Sequence, residues 1–152
     1  MISSPLLTDL EVISLAGLTS GVLDITCTLT VNKLKGTAPA RTLQAIASGL
    51  IGPKSFEGGR NTAALGLGLH FLIAVVAAAV YYIASRRLTV LIEHAVLYGF
   101  LYGMAVHLFM SFIVLPLSSL QRSFSGKFFA TQLIIHMFFV GLPISLIVRH
   151  FA

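Results

Sequence analysis

Charged residues are scarce in this chain, and three long stretches contain none of them. Lysine, arginine, aspartate and glutamate make up 10% of the 152 residues, whereas a soluble domain has roughly 25%. The charge-free stretches are residues 63–85, 95–120 and 128–148. Each is long enough for a helix to cross the hydrocarbon core of a bilayer, which takes about 20 apolar residues. The scarcity of charge therefore argues against a soluble domain and predicts an integral membrane protein.

Cysteine pairs and the short signatures of common enzymes are also missing. The one cysteine, Cys27, leaves no possibility of a disulfide framework within the chain or of a paired-cysteine metal site. The sequence has no hydrolase nucleophile elbow, no HExxH zinc motif, and no glycine-rich loop for phosphates or dinucleotides. We therefore expect a protein without an enzyme active site.

A fourth predicted span, residues 12–31, has a carboxylate in its middle. Asp24 costs roughly 2.5–3.5 kcal/mol at the centre of a membrane helix, and the apolar residues around it must outweigh that cost. The residues before this span lack the basic start of a cleavable signal, so we expect it to be retained. The four spans predict an all-α, membrane-spanning four-helix bundle in which residues 1–152 form a single transmembrane domain.

The connection between the first two spans contains a short amphipathic stretch that begins near Pro39. Four of its residues follow one another at helical spacing on one face: Leu43, Ile46, Ala47 and Leu50. The stretch is too short to cross a bilayer, so we predict a helix over residues 40–50 that lies at the membrane interface. Two roles stay open for it, an ordered cap over the bundle and a gating or lipid-binding element.

Basic residues are distributed unevenly between the two sides of the predicted bundle. The side of the first and third connections, called the loop side below, has seven: Lys33, Lys35, Arg41, Lys54, Arg60, Arg122 and Lys127. The other side has three: Arg86, Arg87 and Arg149. The positive-inside rule places the loop side in the cytoplasm. Because the basic residues lie between spans, we expect them to meet membrane lipids and not nucleic acid.

Small residues recur at intervals of four in three of the predicted spans. The pairs are Gly17 and Gly21, Ala74 and Ala78, and Gly99 and Gly103. Such pairs let helix backbones approach closely in membranes. They predict the faces on which the helices pack, either within this chain or in a homo-oligomer or larger membrane complex.

Four ionisable residues, one in each span, lie at a similar predicted depth: Asp24, His70, His107 and His136. We call them the polar layer. Ionisable groups inside a membrane are costly and usually functional, and an aspartate with a histidine partner suits proton transfer near neutral pH. The alternative is structural, because neutral histidines also serve as hydrogen-bonding contacts between helices.

The histidines raise the question of a cofactor. Helix bundles hold haem between axial histidines of facing helices, and His94 adds a further candidate near the other side. The sequence has no CxxCH attachment motif and no tryptophan. No cluster of carboxylates or thiols accompanies the histidines, so their spacing does not identify a metal site. We predict no cofactor, with haem as the alternative.

The second half of the chain has a characteristic order of features. HFLIAVVAAAVYYIASRR, which begins at His70, is followed by GFLYGMAVHLFMSFIVLPLS and then by HMFFVGLPISLIVRH, which begins at His136. Over about residues 70–150 this order resembles the small YagU-like inner-membrane proteins of bacteria. The resemblance implies a multi-pass protein of the bacterial cytoplasmic membrane and carries over no catalytic residues.

Three functions fit these features. The sequence favours a structural or accessory subunit of a membrane assembly. The first alternative is a small proton-coupled transporter or channel that uses the polar layer. The second alternative is a haem-binding membrane redox subunit.

Overall fold

The computed structural model describes residues 8–119, 123 and 125–152, and these residues form helices with no strand among them. Four helices are long: α1 (Asp9–Leu34), α3 (Gly59–Ser85), α5 (Ala95–Leu117) and α6 (Gly126–Phe151). Two are shorter, α2 (Pro39–Ile51) and α4 (Val90–Glu93), and a 3₁₀ turn, Gly52–Glu57, joins α2 to α3. The long helices are apolar and long enough to cross a bilayer. The predictions of an all-helical chain and of four helices of spanning length are confirmed.

Capping groups extend α1 beyond the apolar stretch from which it was predicted. The helix begins at Asp9, before the predicted start at residue 12, because Thr8 and Glu11 form a capping box. The Thr8 backbone N–H donates to the Glu11 carboxylate at 2.7 Å, and the Glu11 N–H donates to the Thr8 hydroxyl at 3.3 Å. Just beyond the other end, Gly36 has a φ of 88°, which turns the chain away from the helix.

The helices α5 and α6 each contain a π-helical turn shortly before a proline. The turn Met110–Val114 precedes Pro116, and the turn His136–Gly141 precedes Pro143. Proline has no N–H for the carbonyl four residues earlier, and its ring crowds that carbonyl, so the preceding backbone widens. Soon after its proline, α5 ends at Leu117, earlier than predicted.

The helix α1 packs against α3 on one side and α6 on another, and α5 packs along α6. The side chains buried among these helices include Val12, Ala16, Ala78, Tyr81, Ile144 and Val148. Tyr102 of α5 links this helix to α3. Its hydroxyl donates to the Ala77 carbonyl at 2.7 Å, and its ring meets the Tyr81 ring edge-on with centroids 4.9 Å apart.

Hydrogen bonds at both ends of the bundle fix how the helices are arranged. On the loop side, the Ser119 N–H donates to the Gly49 carbonyl at 3.0 Å, so the first and third connections meet at one end. At the opposite end, the Tyr82 hydroxyl donates to Asp9 Oδ1 at 2.6 Å and ties the end of α3 to the start of α1.

The short helix α2 packs against α3 on the loop side and is held there by polar contacts. The Asn32 amide donates to the Thr42 hydroxyl at 3.3 Å, and the Gln44 amide donates to the Gly59 carbonyl at 3.1 Å. The backbone of α2 also lies directly against Gly66, where a side chain on α3 would collide with it. These contacts fix the position of α2 beside the long helices.

The apolar stripe predicted for α2 is only partly buried. Ala47 is buried, but Leu43 and Ile46 are half-buried and Leu50 is 61% exposed. Polar residues such as Gln44 are buried instead. The helix therefore buries polar residues against the bundle and leaves its apolar stripe at the edge of that contact, with Leu50 exposed.

Candidate functional site

The four residues of the polar layer lie at nearly the same depth in the observed helices. Counted from the loop-side ends, the distances are ten residues to Asp24 in α1, eleven to His70 in α3, ten to His107 in α5 and ten to His136 in α6. At a rise of 1.5 Å per residue this is about 15 Å. That depth is half of a hydrocarbon core about 30 Å thick.

Asp24 and His70 come together between α1 and α3. His70 Nε2 lies 3.8 Å from Asp24 Oδ2 and 2.9 Å from the carbonyl oxygen of Gly21. A carbonyl oxygen accepts and does not donate, so Nε2 carries a proton and donates it to Gly21. Asp24 is 6% exposed. The carboxyl group therefore meets the imidazole inside the protein and not on its outer surface.

One face of α1 carries hydrogen-bonding capacity that packing leaves unused. Asp24 Oδ1 is buried without a hydrogen-bond partner, and so is the hydroxyl of Thr28, one helical turn further along. Orphaned polar atoms are rare in folded proteins, because each has lost its water without a replacement. Their occurrence next to the Asp24–His70 pair singles out this face as a candidate functional site.

His107 and His136 form a second pair, between α5 and α6. Their ring centroids lie 5.1 Å apart, and the Phe129 ring lies 4.7 Å from the His107 ring. His136 Nδ1 donates to the Gln132 carbonyl at 2.8 Å. Within the described residues, His107 Nε2 and the Gln132 amide nitrogen are buried without partners, whereas the His107 ring also forms a hydrogen bond with the Phe129 backbone. Among the described residues, no carboxylate lies within ion-pairing distance of either ring.

The structure thus brings Asp24 to His70 and His107 to His136. The helices that carry the two pairs are in contact, because α1 packs against α6 as well as α3. The arrangement consists of two pairs at one depth. Proton transfer by the polar layer stays a prediction.

Small residues bring α1 and α3 close enough for the first pair to form. A Cβ atom on Gly17 would lie 2.6 Å from the Val75 Cα, closer than real side-chain contacts allow. A Cβ atom on Gly21 would lie 2.8 Å from the Phe71 ring and 3.2 Å from the Ala74 Cβ. The close approach at Gly21 also presents its carbonyl to His70.

Glycines on both helices bring α5 and α6 together around the second pair. A Cβ atom on Gly103 would collide with the His136 carbonyl oxygen and lie 2.6 Å from the Met137 Cα. From the other helix, a Cβ atom on Gly141 would collide with the backbones of Gly99 and Gly103. Backbone therefore lies against backbone along this contact.

Sequence reasoning missed Gly141 and the hydrogen bonds of two tyrosines. Gly141 has no glycine four residues away, but Ser145 lies there, and this pair of small residues is the signal that could have identified the contact. The two tyrosines are Tyr82 and Tyr102. Their acceptors lie 73 and 25 residues away along the chain, and no local pattern indicates such partners.

The side chains of the polar layer offer imidazole, carboxyl, amide and hydroxyl groups at one depth. No group of three or more histidine, cysteine, aspartate or glutamate residues that would hold a metal occurs in the described part of the chain. The rings of His107 and His136 pack directly against one another, so a haem between them would require the rings to separate. His94 is exposed and precedes α5, away from the layer. The chemistry that this donor set supports is hydrogen bonding and proton binding.

Comparison of the chain with protein-family models, curated proteins and solved structures found no match. The resemblance to YagU-like proteins over residues 70–150 therefore stays a prediction, and the function is to be inferred from the residues of this chain.

Proposed function

We propose that the protein crosses a bacterial inner membrane with its four long helices and that it conducts or exchanges protons through the Asp24–His70 pair. Large apolar side chains on the outside of the bundle support the membrane location. Exposed examples from the four helices are Val22, Leu72, Val80, Leu97, Phe112 and Ile134. Soluble proteins rarely expose large continuous apolar surfaces. The excess of basic residues on the loop side supports a cytoplasmic location for that end.

The geometry of the Asp24–His70 pair carries the proposal for protons. A carboxyl and an imidazole 3.8 Å apart exchange a proton after a small movement or through one water molecule. Asp24 Oδ1 and the Thr28 hydroxyl are enclosed by the protein. A hydrated metal ion or an organic solute needs space around such atoms, whereas a proton needs none. The pair therefore suits a proton better than a larger substrate.

The second pair and the π turn of α6 support a function that involves movement. His136 lies at the start of the π turn, where the regular backbone hydrogen bonds of α6 are interrupted. Turns of this kind occur frequently at functional sites. In this proposal the loop-side half of α6, with His136 and Gln132, shifts relative to the other half and opens the polar layer to water from one side at a time.

The test measures proton flux in liposomes. Purified protein is reconstituted with a pH-sensitive dye inside the vesicles, and a potassium gradient with valinomycin drives protons inwards. Asp24→Asn keeps the shape of the side chain but removes its titratable group, so the flux is expected to fall to that of empty liposomes. Glu57→Gln is the matched control because Glu57 is exposed on the loop side.

Asp9→Asn is a poor control for this experiment, because the Asp9 carboxylate accepts a hydrogen bond from Tyr82. The proposal fails if wild-type protein shows no flux above empty liposomes. It also fails if Asp24→Asn protein, with an unchanged elution profile on size exclusion, conducts as well as the wild type.

A structural or accessory subunit is the second candidate, and the exposure of α5 favours it. In the apolar part of α5, 11% of the residues are buried, against 39% in α1 and in α6. A helix that packs so little within its own chain has a face available for a second copy or for another membrane protein. Purification in mild detergent, with identification of co-eluting chains, tests this candidate. A monomer that elutes alone would contradict it.

A further inference from the structure

The two ends of the bundle differ in charge. On the loop side the described residues contain six basic side chains and one acidic side chain, Glu57. The basic ones are Lys33, Lys35, Arg41, Lys54, Arg60 and Lys127. The opposite end has three acidic residues, Asp9, Glu11 and Glu93, against Arg86, Arg87 and Arg149. The loop side therefore carries a net positive charge that attracts anions, whereas the positive and negative charges at the opposite end cancel.

Exposed apolar side chains lie among the basic residues of the loop side. Leu34 is 84% exposed between two lysines, and Leu117 is 84% exposed at the end of α5. Leu50, on the apolar stripe of α2, is 61% exposed. Apolar side chains interleaved with cations are typical of a surface at the boundary between acyl chains and lipid headgroups. A surface of this composition fits an anionic bilayer better than it fits water.

Arg41 is a basic residue of the loop side whose side chain packs on an aromatic ring. Its guanidinium carbon lies 4.6 Å from the centre of the Phe56 ring, so the side chain packs on an aromatic residue of the 3₁₀ turn. The neighbouring residue Thr42 is tied to Asn32, which holds the start of α2 in place. Arg41 is exposed, and no carboxylate lies within ion-pairing distance of it in the part of the chain that the structure describes.

We propose that Arg41, supported by Phe56, binds the phosphate group of an anionic phospholipid on the loop side of the membrane. The planar guanidinium presents N–H groups in a geometry that matches two phosphate oxygens. Stacking on Phe56 restrains the side chain before the lipid arrives, which lowers the entropy lost on binding. Lys54 and Arg60, near Phe56 in sequence, add attraction for the anionic headgroup. This site depends on the proposed membrane location and not on the proposed proton function.

The test compares lipid retention by single variants in nanodiscs made of phosphatidylcholine with a minor fraction of phosphatidylglycerol. After transfer to neutral detergent, the phosphatidylglycerol that stays bound to the protein is measured by mass spectrometry. Arg41→Gln is expected to weaken retention about fivefold, the effect of removing one cation near an anionic surface. Arg87→Gln is the matched control, because Arg87 is exposed at the opposite end and meets the same lipids in a nanodisc.

Phe56→Leu separates a structured site from general attraction. It keeps every charge but removes the aromatic support of Arg41, so retention is expected to fall to a value between those of the wild type and Arg41→Gln. Equal retention by the wild type, Arg41→Gln and Arg87→Gln would overturn the proposal, and so would equal losses in both arginine variants. Displacement of the lipid by millimolar inorganic phosphate would also overturn it, because the site would then bind the free anion. A protein that does not enter the membrane fraction would instead refute the membrane location.

Discussion

The two helix contacts that carry the polar pairs are built differently. Between α1 and α3, glycines lie on α1 alone among the close contacts, and Gly21 faces the ring of Phe71. Between α5 and α6, glycines lie on both helices, and Gly103 faces the backbone of His136 and Met137. The first contact has main chain at its closest point, where Gly17 faces the Val75 Cα, and a movable side chain at Gly21, whereas the second has main chain facing glycines of both helices.

The polar pairs at the two contacts also differ. At the first contact, His70 donates to the Gly21 carbonyl and lies beside a carboxyl group, so the polar atoms are partly matched across the helices. At the second contact, the His107 ring forms a hydrogen bond with the Phe129 backbone of α6, its Nε2 has no partner among the described residues, and His136 bonds within its own helix. Both pairs therefore link their helices through a ring hydrogen bond, but among the described residues a carboxyl group lies beside the imidazole of the first pair alone, and the second contact adds close packing of glycine backbones from both helices. Substitutions at the two contacts are expected to separate these effects.

The largest effect is expected from Gly103→Leu in the contact between α5 and α6. The new side chain would have to occupy the position of the α6 backbone, and the helices cannot both stay in place. We expect a loss of stability of more than about 3 kcal/mol, beyond ordinary overpacking of a core. Thermal unfolding in detergent measures it.

Gly68→Leu is the control for Gly103→Leu, since a Cβ atom at Gly68 meets nothing within 4 Å. This second variant is expected to melt as the wild type does. Equal melting temperatures for wild-type and Gly103→Leu protein would show that the close backbone contact between α5 and α6 does not exist.

A smaller effect is expected from removing one imidazole at each contact. His70→Leu leaves the Gly21 carbonyl without its side-chain donor and Asp24 without its neighbour, which should cost about 1–3 kcal/mol. His107→Leu removes the hydrogen bond between the ring and the Phe129 backbone but takes no neighbour from a carboxyl group, so the cost should lie at the lower end of this range, about 1–2 kcal/mol. Melting temperatures of both variants in the same detergent give the comparison. A larger loss for His107→Leu than for His70→Leu would reverse the roles assigned to the two contacts.

The smallest effect is expected from the hydrogen bond between α5 and α3, which connects the two helix contacts. Tyr102→Phe removes the hydroxyl that donates to the Ala77 carbonyl but keeps the ring that packs on Tyr81. The loss should be about 0.5–1.5 kcal/mol, the net value of one hydrogen bond. Tyr98→Phe, also on α5, serves as the control because no hydrogen bond of its hydroxyl is found within the described residues. Identical melting of the wild type and Tyr102→Phe would exclude a stabilising role for this hydrogen bond.

The four long helices were predictable because hydropathy over 20 residues depends on composition alone. Their ends were less so. The capping box at Thr8 and Glu11 starts α1 before its apolar stretch, and Pro116 is followed by the early end of α5. The orientation of α2 was not predictable from its stripe. Its polar residues find partners on α1 and α3, and those partners are not visible in a local pattern.

For the candidate site, the sequence indicated the residues and their depth but not their pairing. Counting along each helix brings Asp24 and the three histidines to one level. Which residue meets which depends on how the helices pack around one another. The close helix contacts at Gly21 and Gly103 set this arrangement, and they join residues that are far apart in the chain. The division of the layer into two pairs therefore required the structure.

The partnership of Asp24 with His70 also has a consequence for biosynthesis. In the proposed membrane location, α1 emerges from the ribosome before α3 does, so the carboxyl group of Asp24 lacks its imidazole partner until α3 has followed. During that interval the nascent helix carries an acidic side chain without its imidazole, which makes its insertion into the bilayer more costly. The α1–α3 hairpin is then the first unit whose closure shelters the carboxyl group, and α5 and α6 join a pair that is already assembled.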